Sequence, residues 1–300
     1  MRERRRIRRS LLIIALIVLS PVLLIVANGT ILNYGETPLA GTTVYPASDL
    51  PKSGDVVTIV AFNIAKCFAK IGRFSYRSRH SVQIRMEECA RIIQTVNPDI
   101  VFLSEAIFEC GPCPVNQVVG IAERNQLRFW AFGENYNMGI PFYRSVGGNA
   151  ILSRWPLEPV SNNSLAGRRP FYVTRNNRRV LFCRLNLETG PILLGAMHTD
   201  SFNLENNQRQ TSQILGIVNE RPAILAGDFN AEPHNPSIRI LEQSGLFAGI
   251  FDGQPTFPSN DPIRRIDYVL APRSWIHLET SIMESSVSDH LPVVSKFRLP

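Results

Sequence analysis

The sequence predicts a mixed α/β domain carried behind a single amino-terminal hydrophobic helix. Three observations predict it. Short runs rich in β-branched residues recur along the chain, segments of helical period lie between several of them, and one uncharged apolar run follows directly on an arginine-rich start. Three hundred residues with 44% hydrophobic and 19% charged content suffice for one large core and exclude a disordered chain.

Residues 1–10 form a basic cytoplasmic tail in which Arg2, Arg4, Arg5, Arg6, Arg8 and Arg9 oppose Glu3. The tail places +5 of the formal charge of +7 ahead of the hydrophobic run and leaves +2 for everything after it. A broad basic footprint for duplex nucleic acid is therefore not expected on the folded body. Residues 11–27 carry no charge and are interrupted only by Ser20 and Pro21, and Ile31 and Leu32 extend them to a transmembrane signal-anchor over 11–32. The alternative is a cleaved signal peptide, for which Ala27-Asn28-Gly29 offers small residues. In both cases the arginines keep the amino terminus cytoplasmic and the remainder becomes extracytoplasmic, periplasmic or extracellular, and secreted if cleavage occurs.

Residues 33–54 lack either regular period and read as a linker, so the folded domain is expected over 55–300. Strands are expected at 56–62, 99–103, 150–152, 180–187, 192–197, 223–226, 266–270 and 293–297. A helix is expected around 86–96, where Met86, Cys89, Ile92, Ile93 and Val96 share a face, and another over 204–218 through Leu204, Thr211, Ile214, Leu215 and Val218. Cys67, Cys89, Cys110, Cys113 and Cys183 are too few and odd in number for a disulfide framework. The Cys110-Gly-Pro-Cys113 spacing leads to an expected local disulfide, with loop thiols as the alternative; zinc would need a second pair.

Most of the notable polar residues stand at or just beyond strand ends: Asn63, Glu105, His198, Asp228, Asn230, Asp267 and Asp289-His290. Strand ends form the ligand crevice of layered α/β proteins. Four acids, two asparagines and two histidines recurring there are of no use to an apolar core, and converging carboxylates repel unless a cation or proton separates them. Oxygen ligands of this kind suit Mg²⁺ or Mn²⁺ better than zinc. Such an inventory fits hydrolysis of phosphate esters, the ion polarising oxygen while Asp and His partners position water and move protons.

GDFN at 227–230, RIDY at 265–268 and SDHLPV at 288–293, preceded by AFNI at 61–64 and FLSEA at 102–106, together resemble the endonuclease/exonuclease/phosphatase superfamily over residues 55–298. The resemblance implies a four-layer α/β/β/α sandwich of two mixed sheets. It implies Asn63 and Glu105 as metal ligands, Asp228 orienting the attacking water, Asn230 holding water or phosphate oxygen, and Asp267 fixing the tautomer of His290. Asp289 would be a second-metal or phosphate-side carboxylate, and His198 a phosphate-binding or leaving-group histidine. Asn149, in the GGNAILSR segment, would face substrate. Apart from the resemblance, Arg264 and Arg265 adjoin Asp267 and are placed to meet a phosphate. His80, His234 and His277 match no motif position. Ser104 and His198 depart from the apurinic-site nucleases, which usually carry Gln and Tyr there, and lie closer to the deoxyribonuclease, sphingomyelinase and phosphatase branches.

The expected partners are the membrane and a phosphoester substrate: a lipid head group, a small phosphoester or nucleic acid. Arg168, Arg169, Arg175, Arg178, Arg179 and Arg184 form one basic concentration, read either as a patch for an anion or as a solvated hairpin. The tether tilts the choice toward lipid or extracytoplasmic small phosphoesters. The alternatives are an extracytoplasmic nuclease and a non-catalytic binding scaffold that retains the fold.

Overall fold

A computed structural model describes residues 2–69, 75–167 and 178–300, so Arg168, Arg169 and Arg175 lie outside the described residues. The chain runs α1 (Arg2–Thr30), β1 (Leu39–Thr42), β2 (Val56–Asn63), α2 (Arg79–Gln94), β3 (Ile100–Cys110), α3 (Gln117–Arg124), β4 (Phe129–Ile140) and β5 (Tyr143–Ser153). It continues through β6 (Glu158–Ser164), β7 (Arg179–Leu187), β8 (Gly190–His198), α4 (Leu204–Val218), β9 (Ala223–Asp228), α5 (Pro236–Gln243), β10 (Phe247–Ala248), β11 (Asp267–Pro272), β12 (Ile276–Ile282) and β13 (Val293–Arg298).

The strands form two mixed sheets, ordered β1-β4-β5-β3-β2-β13-β12 and β10-β11-β9-β8-β7-β6. Alternation within each strand assigns its side chains to layers. From β2, Ile59 and Ala61 point between the sheets, where they meet Phe102, Ile151, Leu181, Leu194, Ile224 and Val269. Val60 and Phe62 point the other way, onto Met86 and Ile93 of α2 and Ile121 of α3. In the second sheet Phe182, Met197 and Leu225 pack outward on Ile214 and Val218 of α4 and Ile238 and Leu241 of α5. The result is the expected α/β/β/α sandwich. Ser78, Asn116 and Asn203 each accept a backbone N–H at the start of α2, α3 and α4, supplying the caps those helices need.

Two expectations are revised. Within the expected linker, Leu39–Thr42 is an edge strand antiparallel to β4. Cys110 and Cys113 are free thiols, as are the other three cysteines, all buried in the core. Their burial gives them the role of small apolar side chains.

Helix α1 carries a candidate membrane span within Arg5–Thr30, and its apolar part is not buried against the domain. At 1.5 Å per residue the uncharged residues 11–30 reach about 30 Å, enough for a hydrocarbon core of ~30 Å. Its end is fastened to the domain. Asn28 is buried and donates to Asn137 Oδ1 (2.8 Å) and to the Gly139 carbonyl (3.2 Å), while Asn137 Nδ2 donates back to the Asn28 carbonyl (3.1 Å). Just beyond, Arg144 donates to the Leu32 carbonyl (2.6 Å) and Glu134 accepts the Tyr34 N–H (2.9 Å). α1 therefore enters the domain through a hydrogen-bonded joint with the β4–β5 hairpin.

Candidate active site

Strand register brings the polar residues together. β8 and β9 run parallel with His198 opposite Asp228, and β9 and β11 antiparallel with Asp228 opposite Asp267. Three charged or ionisable side chains thus stand side by side at one end of the second sheet. In the first sheet β2 and β3 are parallel with Asn63 opposite Ser104, so Glu105 is the next residue at the same end. A buried tie holds the two sheets in alignment here: Ser104 Oγ donates to the Met197 carbonyl (3.0 Å). Within the first sheet, Ser288 Oγ donates to the Asn63 main-chain carbonyl (2.6 Å) and fixes the loop that carries His290. Gly227 serves the same approach: at φ +133°, a Cβ there would lie 2.2 Å from the Met197 carbonyl oxygen. Only glycine lets β9 lie so close to β8 before Asp228.

Asp228 is the hub. Its Oδ1 accepts the Asn230 N–H (2.9 Å), and its Oδ2 accepts from Asn63 Nδ2 (3.0 Å) and faces His198 Nε2 (3.4 Å) and His290 Nε2 (3.7 Å). Asn230 adopts φ +46° and donates its side-chain amide to the Thr199 carbonyl (3.1 Å), which fixes the turn that aims its N–H at Asp228. Burial, then the charge of Asp267, pushes the Asp228 carboxyl up to about 6, against the pull of His290, Arg178 and the Asn230 N–H.

His290 sits between two carboxylates. Nδ1 pairs with Asp267 Oδ2 (2.9 Å), an oxygen that also accepts from Thr256 Oγ1 (2.6 Å), and the Phe257 ring lies 4.8 Å from the imidazole. Burial opposes a charge on His290, but Asp267, through its charge and its hydrogen bond, with Asp228 and Asp289, holds the pKa up at about 9. His198 has the opposite fate. Burial and then the charges of Arg178, Lys66 and His290 press it well below the ordinary histidine range, leaving a neutral imidazole. Two histidines within reach of one aspartate are therefore held in different protonation states, as acid and base roles require.

Glu105 lies in a bulge of β3, where the register against β5 shifts between Leu103 and Ala106, and it adopts φ +57°. A bulge re-aims a side chain out of the pleat. The carboxylate faces His198 Nε2 at 3.8 Å and forms an ion pair with Lys66. Lys66 comes from a turn after β2 in which Ala65, Lys66, Cys67 and Phe68 all have positive φ, from 45° to 60°. Left-handed backbone costs non-glycine residues roughly 1–2 kcal/mol each. Gln117 supports it, donating to the Lys66 carbonyl (2.7 Å) and accepting the Ile107 N–H (2.9 Å) beyond the bulge. Lys66, Glu105, Tyr136, Gly148, Arg178 and His198 line one open cleft.

The donors fit a hard divalent cation. A buried group of Asp228, Asp267 and His290 has ligand-type atoms within 4.8 Å of one another. There, however, His290 is protonated and bonded to Asp267, which makes it a poor ligand. Glu105 and Asn63 Oδ1, which accepts the Ala65 N–H (3.0 Å), offer oxygen, and the Glu105 carboxylate already draws a cation in the Lys66 ammonium.

Three expected residues stand apart. Asn149 is fully buried, its amide joining the sheets by donating to the carbonyls of Arg179 (3.0 Å) and Ala196 (3.3 Å). Arg265 is buried with its guanidinium on the carbonyls of Ile250 (2.9 Å) and Gln254 (3.0 Å) and over the Tyr268 ring, while Arg264 pairs with Glu232 (3.0 Å). Asp289 is exposed, accepting weakly from Ser288 Oγ (3.3 Å). Arg265→Met is therefore expected to lower stability by about 2–3 kcal/mol, since it leaves two buried carbonyls without a charged donor. Urea unfolding and kcat/KM measured on the same variant check this: a shifted midpoint with nearly unchanged turnover per folded molecule supports the structural role.

Lys66, Thr256 and Phe257 at the site had no signal in the sequence pattern. Lys66 is three residues beyond Asn63, and only the left-handed turn brings it to Glu105.

The sequence profile described as the Endonuclease/Exonuclease/phosphatase family matches residues 60–290 of this chain. The chain belongs to that family. Among curated proteins it is similar to YbhP of Escherichia coli K12, itself uncharacterised, at 26% identity over 269 residues, covering 80% of this chain and 96% of YbhP. Among solved structures it resembles an endonuclease/exonuclease/phosphatase from Beutenbergia cavernae, with TM-score 0.61, 21% identity and coverage of 81% of this chain and 72% of that one. It also resembles a mannosyl-6-phosphatase of Bacteroides thetaiotaomicron, with TM-score 0.55, 17% identity and coverage of 80% and 99%. These likenesses give the phosphoesterase or nuclease fold of the family.

Proposed function

We propose that this member of the family is a membrane-anchored phosphoesterase, dependent on Mg²⁺ or Mn²⁺, that hydrolyses phosphodiester or phosphomonoester bonds by in-line attack of water. The observation that carries the reading is the convergence, from both sheets, of Asn63, Glu105, His198, Asp228 and the Asp267–His290 pair on one end of the sandwich.

Glu105 and Asn63 would hold the cation, with Asp289 available at the rim. When bound, the cation polarises a phosphoryl oxygen and stabilises the leaving oxyanion. Asp228, ionised above about pH 6, accepts the proton of the attacking water, and Asn63 and Asn230 hold its carboxylate in place. His290, kept cationic by Asp267, presents Nε2 as a donor to a phosphoryl oxygen. Neutral His198 enters as a hydrogen-bonding partner, not as a cation, and Arg178 and Lys66 add positive charge along the cleft.

The joint at Asn28 supports a retained anchor. Cleavage after Gly29 would remove Asn28 and leave the buried Asn137 amide without it. The test is hydrolysis by the full chain in detergent micelles of a generic phosphodiester, a generic phosphomonoester, sphingomyelin and plasmid DNA, each with Mg²⁺ and with chelator. Turnover of one substrate that vanishes with chelator and returns with metal is the expected result. Silence on all four together with calorimetric metal binding would favour a scaffold, and turnover unaffected by chelator would sink the metal role.

A further inference from the structure

The joint between α1 and the domain lies close to the site. β4 contributes Tyr136 to the cleft, and its Gly139, three residues further on, receives the Asn28 amide at the end of α1. Three strand residues span about 10 Å. β5 repeats the relation, with Gly148 in the cleft and Arg144 on the Leu32 carbonyl. A headgroup layer is about 5–8 Å deep on each side of the hydrocarbon core. If α1 lies in a bilayer with Asn28 at the hydrocarbon boundary, the cleft stands at the outer surface of the headgroup layer.

Exposed apolar side chains gather at the same end. Phe142, at the tip of the β4–β5 hairpin, is 77% exposed. Phe202, in the loop that follows His198, is 93% exposed, and Ile263, in the loop that leads into Asp267, is 71% exposed. The three loops come from different parts of the chain and all leave strands at the site end. Among the described residues of the domain, counted from β1 at Leu39, Val44 alone is as open, 90% exposed at the other end of the sandwich. Large apolar groups held in water at one rim mark a contact surface, and the fastened end of a hydrophobic helix beside that rim indicates which surface it is.

We propose that the site-bearing end of the sandwich faces the bilayer that holds α1, with Phe142, Phe202 and Ile263 entering its interface, so that the cleft opens onto phosphoesters carried on lipid headgroups. This rests on α1 being a retained anchor, and not on catalysis. The cleft then takes substrate from the membrane plane, and soluble phosphoesters reach it only around the rim.

The test uses the full chain in nanodiscs of phosphatidylcholine and phosphatidylglycerol. Phe142→Cys, Phe202→Cys and Ile263→Cys, with Leu16→Cys in α1 and Val44→Cys at the opposite end of the sandwich, are each labelled with an environment-sensitive fluorophore; the five native cysteines are buried, and the unsubstituted chain supplies the labelling blank. The expected result is quenching by spin-labelled lipid, with protection from aqueous dithionite, at 142, 202, 263 and 16, and the reverse at 44. If 16 is quenched by lipid while 142, 202 and 263 behave like 44, the orientation is overturned and the anchor stands. Lipid contact at 142 without 202 and 263 also overturns it, since the site end would then stand edge-on. If 16 behaves like 44, or is missing from the mature chain, the anchor and the orientation fall together.

Discussion

Asp228→Asn is expected to lower kcat/KM by about 10³-fold while leaving the fold intact. The change is isosteric, and the amide oxygen can still accept the Asn230 N–H that now reaches Oδ1 at 2.9 Å, but its –NH2 then meets the Asn63 Nδ2 that now donates to Oδ2 at 3.0 Å, a donor–donor contact that opposes the gain from removing the charge. What is lost is proton acceptance at the point where Asn63, His198 and His290 converge, and loss of a positioned base costs about 10²–10⁴-fold. The stability effect follows from the carboxyl being pushed up to about 6 from an ordinary value of 3.8, by burial and by Asp267. A raised folded-state value means that at pH 7 the ionised group is disfavoured in the folded protein relative to the unfolded chain. Removing the charge relieves that penalty. Thermal unfolding at pH 7 should give a midpoint close to that of the unsubstituted protein, the relieved charge penalty offsetting the lost Asn63 bond, in a variant with almost no turnover. Loss of the cooperative transition would mean that Asp228 serves chiefly as structure, and near-normal turnover would remove it from the mechanism. Function held at the expense of stability is what a buried catalytic acid or base produces.

Asp228 was legible because its environment is written in neighbouring residues. Gly227 is required by the close passage of β9 past Met197, and the strand before it is uniformly apolar, so the first carboxylate after it falls at the sheet's end. His198 and Asp267 are found in the same way, as the polar ends of buried strands. Adjacency to a motif was a poorer guide than strand position. Asp289 directly precedes His290, yet His290 is buried at the site while Asp289 is exposed. Arg265 lies two residues before Asp267, but in a loop whose nearest unsatisfied acceptors are the carbonyls of Ile250 and Gln254. β4 escaped the strand pattern because it carries buried Glu134, Asn135 and Asn137 in place of apolar residues. Two of those side chains bind the end of α1 and the segment just after it, contacts between residues about a hundred positions apart that no local pattern can reveal. Lys66 was illegible for a backbone reason: nothing in AFNIAKCF specifies four left-handed residues, which exist because Gln117 and the β3 bulge hold them.

The pH dependence of His290→Gln provides the other large effect. In the folded protein the imidazole is held up at about 9, against burial, by Asp267 and then by Asp228 and Asp289. With Asp228 required as a carboxylate and His290 as an imidazolium, kcat/KM should rise through pH about 6, run flat, and fall above about 9. Glutamine at 290 should lower the plateau by about 10²–10⁴-fold and abolish the alkaline fall, because the group that titrates there is gone. Stability carries an independent readout of the same pairing. A histidine whose folded value exceeds its unfolded value of 6.5 contributes stability that is fully present below 6.5 and is lost as pH rises through about 9. The unfolding midpoint of the unsubstituted protein should therefore fall between pH 6.5 and 9, and that of His290→Gln should fall less. An alkaline limb that survives in His290→Gln would assign the required acid to another residue. Identical midpoint slopes in the two proteins would show that Asp267 does not hold a proton on His290, and the relay from Asp267 to the phosphate would then have no basis.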